Sequence, residues 1–168
     1  RLPQPQDPQS VNRPPSPSTV LLVEDDESLR KVLGKELARM GHQVHTREHA
    51  NDLPAVLQKC EPDVVLLDLH LPGLGGMEAL RQVAMQDPEL PIVVMTGHGT
   101  VALAVQAMQH GAFDFLTKPV TLDLLQQTVD RASAHGRLLR ENLRLRRASA
   151  HAPANALLVT NHSLSARR

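Results

Sequence analysis

Five times between Thr19 and Ala134, a short run with strand character gives way to a stretch with helical spacing. That alternation limits the fold more than any other feature of the chain. The strand runs are "TVLLVE", "HQVHTR", "DVVLLD", "PIVVMT" and "AFDFLT". Continuous Val, Leu and Ile without polar alternation marks strands buried on both faces, as in a parallel sheet covered by helices. Between the first two runs, "ESLRKVLGKELARM" carries Leu29, Val32, Leu33, Leu37 and Met40 at helical spacing, and Gly41 follows as a stop signal. Further helices are predicted near Asp52–Lys59 with Pro54 in the first turn, around Met77–Met85, from Val101 to Gln109 before Gly111, and from Leu122 onward. The order predicts an α/β doubly wound parallel sheet with helices on both faces and right-handed crossovers.

The 168 residues suit one domain plus tails. With 41% hydrophobic but only 1% aromatic residues, the core is built from Leu, Val, Ala and Met, and Met77, Met85, Met95 and Met108 are expected in it. No apolar run approaches the roughly 20 residues that span a membrane, and the Pro- and Gln-rich start is unlike a signal peptide. The single cysteine, Cys60, excludes an internal disulfide and fits a reducing compartment, so a cytoplasmic protein is expected. The nine histidines show no zinc spacing. The chain starts at Arg1 rather than Met, as a fragment or a processed chain does.

Residues 1–18 are Pro-, Gln- and Ser-rich and are expected to be disordered. Residues 19–134 are the folded domain; with 16 acids and 9 bases they carry a net charge of −7. From residue 135 onward, seven arginines and one acid, Glu141, give a net +6. An acidic domain with a basic tail does not have the face of a nucleic-acid binder. The last helix is too long for its neighbours. Leu122, Leu125, Val129, Ala132, Gly136, Leu139, Leu143 and Arg146 form a stripe that predicts a helical, coiled-coil-like extension over 135–147. Residues 148–168 show no usable pattern and are expected to be a disordered tail.

In such a sheet the carboxyl ends of the strands share one edge. The first strand ends in Glu24-Asp25-Asp26, the third in Asp68, the fourth in Thr96 and the fifth in Lys118. Each alone could terminate a strand or cap a helix, and Asp26 or Glu27 could be doing only that. Together they are hard to explain as punctuation. Two carboxylates about 4 Å apart repel by roughly 4 kcal/mol at an effective dielectric near 20. A cluster of Asp25, Asp26 and Asp68 therefore calls for a hard cation with oxygen ligands, and Mg²⁺ suits few carboxylates plus phosphate oxygens. Lys118 adds a point charge for a phosphate oxygen and Thr96 a hydroxyl donor.

The stretches "LLVEDDE", "LLDLHLPGLGG", "VMTGHGT" and "DFLTKP", in this order and spacing, resemble the receiver domain of two-component response regulators from about Thr19 to Ala134. The resemblance implies a flavodoxin-like (βα)₅ fold. It implies Asp68 as phosphoacceptor, with Mg²⁺ held by Asp26 directly, Asp25 through water, Asp68 and the carbonyl of His70. Thr96 and Lys118 would contact the phosphoryl group, Phe115 would be the aromatic switch, and the Lys118–Pro119 bond would be cis. His70 and His98 lie two residues beyond Asp68 and Thr96. There they either tune phosphoryl lifetime or are ordinary exposed histidines.

The implied phosphodonor is a sensor histidine kinase, and the implied role is regulatory rather than enzymatic. "GRLLRENLRLRR" and "VMTGHGTVALAVQAMQHGAFDFLTKP" look most like the nitrogen-regulation and dicarboxylate-transport class of regulators. In that class a helical linker joins the receiver to a sigma-54-activating ATPase. The chain has no Gly-x-x-x-x-Gly-Lys-Ser/Thr loop and no room for a helix-turn-helix after residue 147, so output domains are expected elsewhere in a longer protein. A homodimer through the last helix is also expected. Two rivals remain on sequence grounds. A phosphatase passing through a phosphoaspartate expects a second aspartate where His70 stands, and the other rival is a receiver-like module that dimerises without phosphorylation.

Overall fold

The computed structural model describes residues 16–97 and 101–151. Strands β1 (Thr19–Val23), β2 (Gln43–Arg47), β3 (Val64–Asp68), β4 (Ile92–Thr96) and β5 (Asp114–Thr117) form one parallel sheet in the order β2-β1-β3-β4-β5. They alternate with α1 (Glu27–Arg39), α2 (Leu53–Cys60), α3 (Gly76–Gln86), α4 (Val101–Gln109) and α5 (Leu122–Ala150). This is the doubly wound parallel sheet expected from the alternation, in the flavodoxin-like form that the resemblance implies. From β1 the chain turns outward to β2 and then returns to β3 on the other side. The order therefore reverses between β1 and β3, and a crevice opens outside their carboxyl ends.

The period of two along each strand sorts its side chains into two apolar layers. Leu21, Val23, Val65, Leu67 and Val94 pack with Leu53, Val56 and Leu57 of α2 and Ala79, Leu80 and Val83 of α3. Val20, Leu22, Leu66, Val93 and Met95 pack with Leu33 and Leu37 of α1 and Leu125, Val129 and Ala132 of α5. Each strand of the interior is thus apolar on both faces, which is why its sequence shows no alternation.

Helix ends follow local chemistry. Asp26 caps α1, its Oδ1 accepting from the N–H of Leu29 at 3.0 Å. Gly41 follows α1 at φ +96°, a backbone region that side chains disfavour. Pro54 sits in the first turn of α2.

Three expected core residues are instead on the surface. The buried line of α1 runs through Leu33 and Leu37, with Leu29 and Met40 partly buried beside it, at steps of three and four. Val32 lies about 100° round from Leu33 and is exposed. Met85 stands two residues past Val83, on the far side of α3, and is 84% exposed. Met108 is one step off Ala107, which with Ala104 is buried in α4, and is exposed. Met95 is buried, and Met77 packs partly against the core.

The stripe on α5 departs similarly at its start, where Leu122 is exposed, and holds from Leu125 to Gly136. Gly136 is required there, because a Cβ would meet Pro91 Cγ and Cδ at 2.9 Å. Arg137 begins a second structural unit, helical to Ala150 rather than to 147. From Arg137 to His151 no residue is fully buried; Leu138 and Leu145 are exposed, and Arg144 pairs with Glu141 at 2.8 Å. Most of the N-terminal segment (1–15), His98, and the end of the tail (152–168) lie outside the described residues. No helix among the described residues is long and apolar enough to cross a membrane.

Candidate functional site

Strand register places the site. Val23 lies opposite Leu67, so Glu24 and Asp68, each the next residue, stand side by side at the crevice. Asp68 in turn faces Met95, and Thr96 faces Thr117. The ladder continues past the strands: the Leu69 N–H donates to the Met95 carbonyl at 2.9 Å and the Lys118 N–H to the Thr96 carbonyl at 2.9 Å. Glu24, Asp68, Thr96 and Lys118 therefore emerge from four rigid elements at one level.

Lys118 joins them. Its Nζ lies 2.7 Å from Glu24 Oε2 and 3.2 Å from Asp68 Oδ2. Asp68 Oδ1 accepts from the N–H of His70 at 2.9 Å, and Glu24 Oε1 accepts from the N–H of Asp26 at 3.1 Å. Glu24, Asp68 and Thr96 are buried, whereas Asp25 and the His70 side chain are exposed. Burial pushes the Glu24 carboxyl above its usual value, and the charge of Asp68 adds to this against the pull of Lys118 and the Asp26 N–H. Burial acts to lower the Lys118 pKa, but the carboxylates of Glu24 and Asp68 outweigh it and the net shift is upward. The Lys118–Pro119 bond is cis.

Gly76 lets this corner close. A Cβ there would collide with the Asp68 carbonyl and the Leu69 backbone, so the start of α3 sits directly against the end of β3. In the sequence, "GLGG" reads only as turn chemistry after the strand.

The acidic trio is displaced by one residue from the expected one. Glu24, Asp25 and Asp68 each present an oxygen within 4.8 Å of the others. The Asp26 carboxylate instead caps α1, the bland role that its position allowed. Glu24 continues the line of β1 and its longer side chain reaches Lys118; nothing in the sequence separates it from its two acidic successors. Three carboxylates against one ammonium leave two negative charges in excess, which suits a divalent cation. The Thr96 hydroxyl is buried with no hydrogen-bond partner among the described residues, although buried hydroxyls are normally satisfied. A donor left open beside a carboxylate and an ammonium fits a ligand with oxyanion acceptors. Phe115 stands apart on the outer face of β5, exposed beside a cavity of about 530 Å³ lined by Val101, Ala104, Val105 and Met108.

The chain belongs to the response regulator receiver domain family, whose pattern matches residues 20–130. It is a regulatory domain of two-component response regulators. Over 131 residues it is 47% identical to the C4-dicarboxylate transport transcriptional regulatory protein DctD of Pseudomonas aeruginosa, covering 78% of this chain and 28% of that protein. Over 116 residues it is 41% identical to the DNA-binding transcriptional regulator NtrC of Salmonella typhimurium, covering 69% of this chain and 25% of that protein. Among solved structures, the receiver domain of NtrX from Brucella abortus superposes with a TM-score of 0.65 at 35% identity, covering 68% of this chain and 98% of that one. A response regulator receiver domain protein from Clostridium thermocellum gives 0.69 at 29% identity, covering 73% and 98%. The chain thus spans between a quarter and three tenths of the length of these two curated relatives.

Proposed function

We propose that Asp68 accepts a phosphoryl group from a phosphohistidine of a sensor histidine kinase, and that this switches a regulator of transcription. The observation that carries the reading is the buried Asp68 carboxylate, with Lys118 Nζ at 3.2 Å and, on the neighbouring strand, the Thr96 hydroxyl without a hydrogen-bond partner among the described residues. A carboxylate oxygen of Asp68 attacks phosphorus, an O–P bond forms, the N–P bond of the phosphohistidine breaks, and the imidazole leaves.

The chain's own groups prepare the step. The His70 N–H fixes one oxygen of Asp68, and Lys118 holds the other while offering positive charge to the incoming phosphoryl oxygens. Glu24, Asp25 and Asp68 would hold Mg²⁺, with the His70 carbonyl a further candidate ligand; Asp26 is assigned to the cap instead. When bound, Mg²⁺ supplies charge neutralisation to the transferring group. The product adds up to about two negative charges. Thr96 then donates its hydroxyl to a phosphoryl oxygen, and Lys118 shifts from Glu24 toward the new charge. Phe115 is the aromatic that responds, beside the cavity along α4.

A few kcal/mol of differential interaction moves such a two-state surface. α5 and its extension are the proposed homodimer contact, and output domains follow in a longer protein, as in regulators of which this chain spans only part.

The test is intact mass after incubation with Mg²⁺ and acetyl phosphate. A gain of one phosphoryl group in the wild type and none in Asp68→Ala is expected. A gain that survives in Asp68→Ala would move the acceptor elsewhere. No gain in the wild type, together with no response to beryllofluoride and Mg²⁺, would leave the phosphorylation-independent dimerisation module.

A further inference from the structure

The loop that carries Glu24 and Asp25 is held at both ends and in the middle. At its start the Glu24 N–H donates to the Arg47 carbonyl at 3.0 Å. At its end the Asp26 carbonyl accepts from the N–H of Arg30 at 2.8 Å, and the Asp26 carboxylate caps α1. Between these points lie the carbonyls of Glu24 and Asp25. One side chain reaches both: Arg30 Nη1 donates to the Glu24 carbonyl at 2.8 Å and, at greater length, to that of Asp25 at 3.4 Å.

The arrangement follows from chain direction. Arg30 is in the first turns of α1 and is partly buried, and its side chain folds back over the helix start. Two peptide planes from which the neighbouring carboxylates project are thereby pinned by one guanidinium, whose rigid, planar fork suits the task better than a flexible ammonium.

We propose that Arg30 is a positioning residue for the divalent-cation site, setting the orientation of Glu24 and Asp25 toward Asp68. The inference rests on the reading of Glu24, Asp25 and Asp68 as that site. Its sign is not the one that charge alone gives. A guanidinium close to a cation site repels the cation, so removing it would tighten binding if charge were its main effect. Removing a group that orients the ligands loosens binding instead, as the loss of outer partners of metal ligands does. The two effects are opposite and therefore separable.

The experiment is calorimetric titration of Mg²⁺ into the full chain, comparing wild type, Arg30→Lys, Arg30→Met and Asp25→Asn. Arg30→Met keeps the apolar stem but loses charge and donors, and its Mg²⁺ dissociation constant is expected to rise about tenfold. Arg30→Lys keeps the charge and can reach one carbonyl, and is expected between wild type and Met. Acetyl-phosphate labelling of the Met variant should recover at saturating Mg²⁺, since Asp68, Thr96 and Lys118 are untouched. A Met variant that binds Mg²⁺ as tightly as wild type, or more tightly, overturns the assignment. If instead wild type takes up no Mg²⁺, or Asp25→Asn binds as wild type does, the reading of the acidic cluster itself fails and Arg30 falls with it.

Discussion

At the carboxyl ends of β1 and β3, Glu24 and Asp68 are 0% and 1% exposed, whereas along α4 and β5 the apolar Val101 and Phe115 are 80% and 40% exposed. Both regions invert the usual sorting of side chains, and for different physical reasons. Buried carboxylates persist only with partners, and here Lys118 and backbone N–H groups provide them. The α4–β5 face needs no compensation within the molecule. Apolar side chains left in water cost little beyond the burial they forgo, and contiguous ones mark a contact surface. The first region is therefore coupled to the stability of the fold, and the second is nearly free of it.

Lys118→Met breaks the comparison hardest. It leaves Glu24 and Asp68 buried without their cation, and without Mg²⁺ it is expected to cost about 3 kcal/mol in urea unfolding. Mg²⁺ should return part of that. A loss no greater than that of a surface pair, under about 1 kcal/mol, would erase the contrast. The pH dependence has a definite sign. The Lys118 pKa is raised above its usual 10.5, so its contribution is complete below pH 10.5 and is lost as pH rises through the folded value. The gap between wild type and Lys118→Met should narrow at that alkaline end, and again in acid as the Glu24 carboxyl, held above its usual value by burial, takes up a proton.

Gly76→Ala tests the same corner through packing. The added methyl meets backbone of Asp68 and Leu69, which cannot rotate away. A cost of about 1–3 kcal/mol is expected, with slower acetyl-phosphate labelling as Asp68 is displaced. Unchanged melting and labelling would mean that α3 can step back freely.

Phe115→Ala gives the smallest effect and sharpens the other side of the comparison. Stability should change by less than about 0.5 kcal/mol, and Asp68 should still be labelled, because the ring contributes to the exposed face rather than to the core. A thermal melt and intact mass check both. A large drop in melting temperature would place Phe115 among the structural residues.

Much of this architecture was legible in the order of residues. Runs such as Val64–Leu67 and Ile92–Met95 are apolar on both faces, which only a helix-covered parallel sheet accommodates, so the strands and their parallel pairing followed from local chemistry. Pro54, Gly41 and Gly111 punctuated the helices where the structure ends or begins them. Exposure at single helical positions was less legible. Val32, Met85 and Met108 have apolar side chains, but one or two steps of about 100° from a buried residue turn them to water.

The sequence by itself determined that acids, a hydroxyl and a lysine would gather at one sheet edge, because strand ends in a parallel sheet all face the same way. Tertiary structure alone decided which acids turn inward. Glu24, Asp25 and Asp26 are consecutive and chemically alike, and local chemistry offers only the possible cap at Asp26 to tell them apart. The register of β1 against β3 sets Glu24 beside Asp68, the start of α1 takes the Asp26 carboxylate for its unsatisfied N–H groups, and Arg30 folds back onto the carbonyls of Glu24 and Asp25. The cap is a local contact three residues along, but the pairing of Glu24 with Asp68 depends on where β3 lies, which is information that a linear order of residues does not carry.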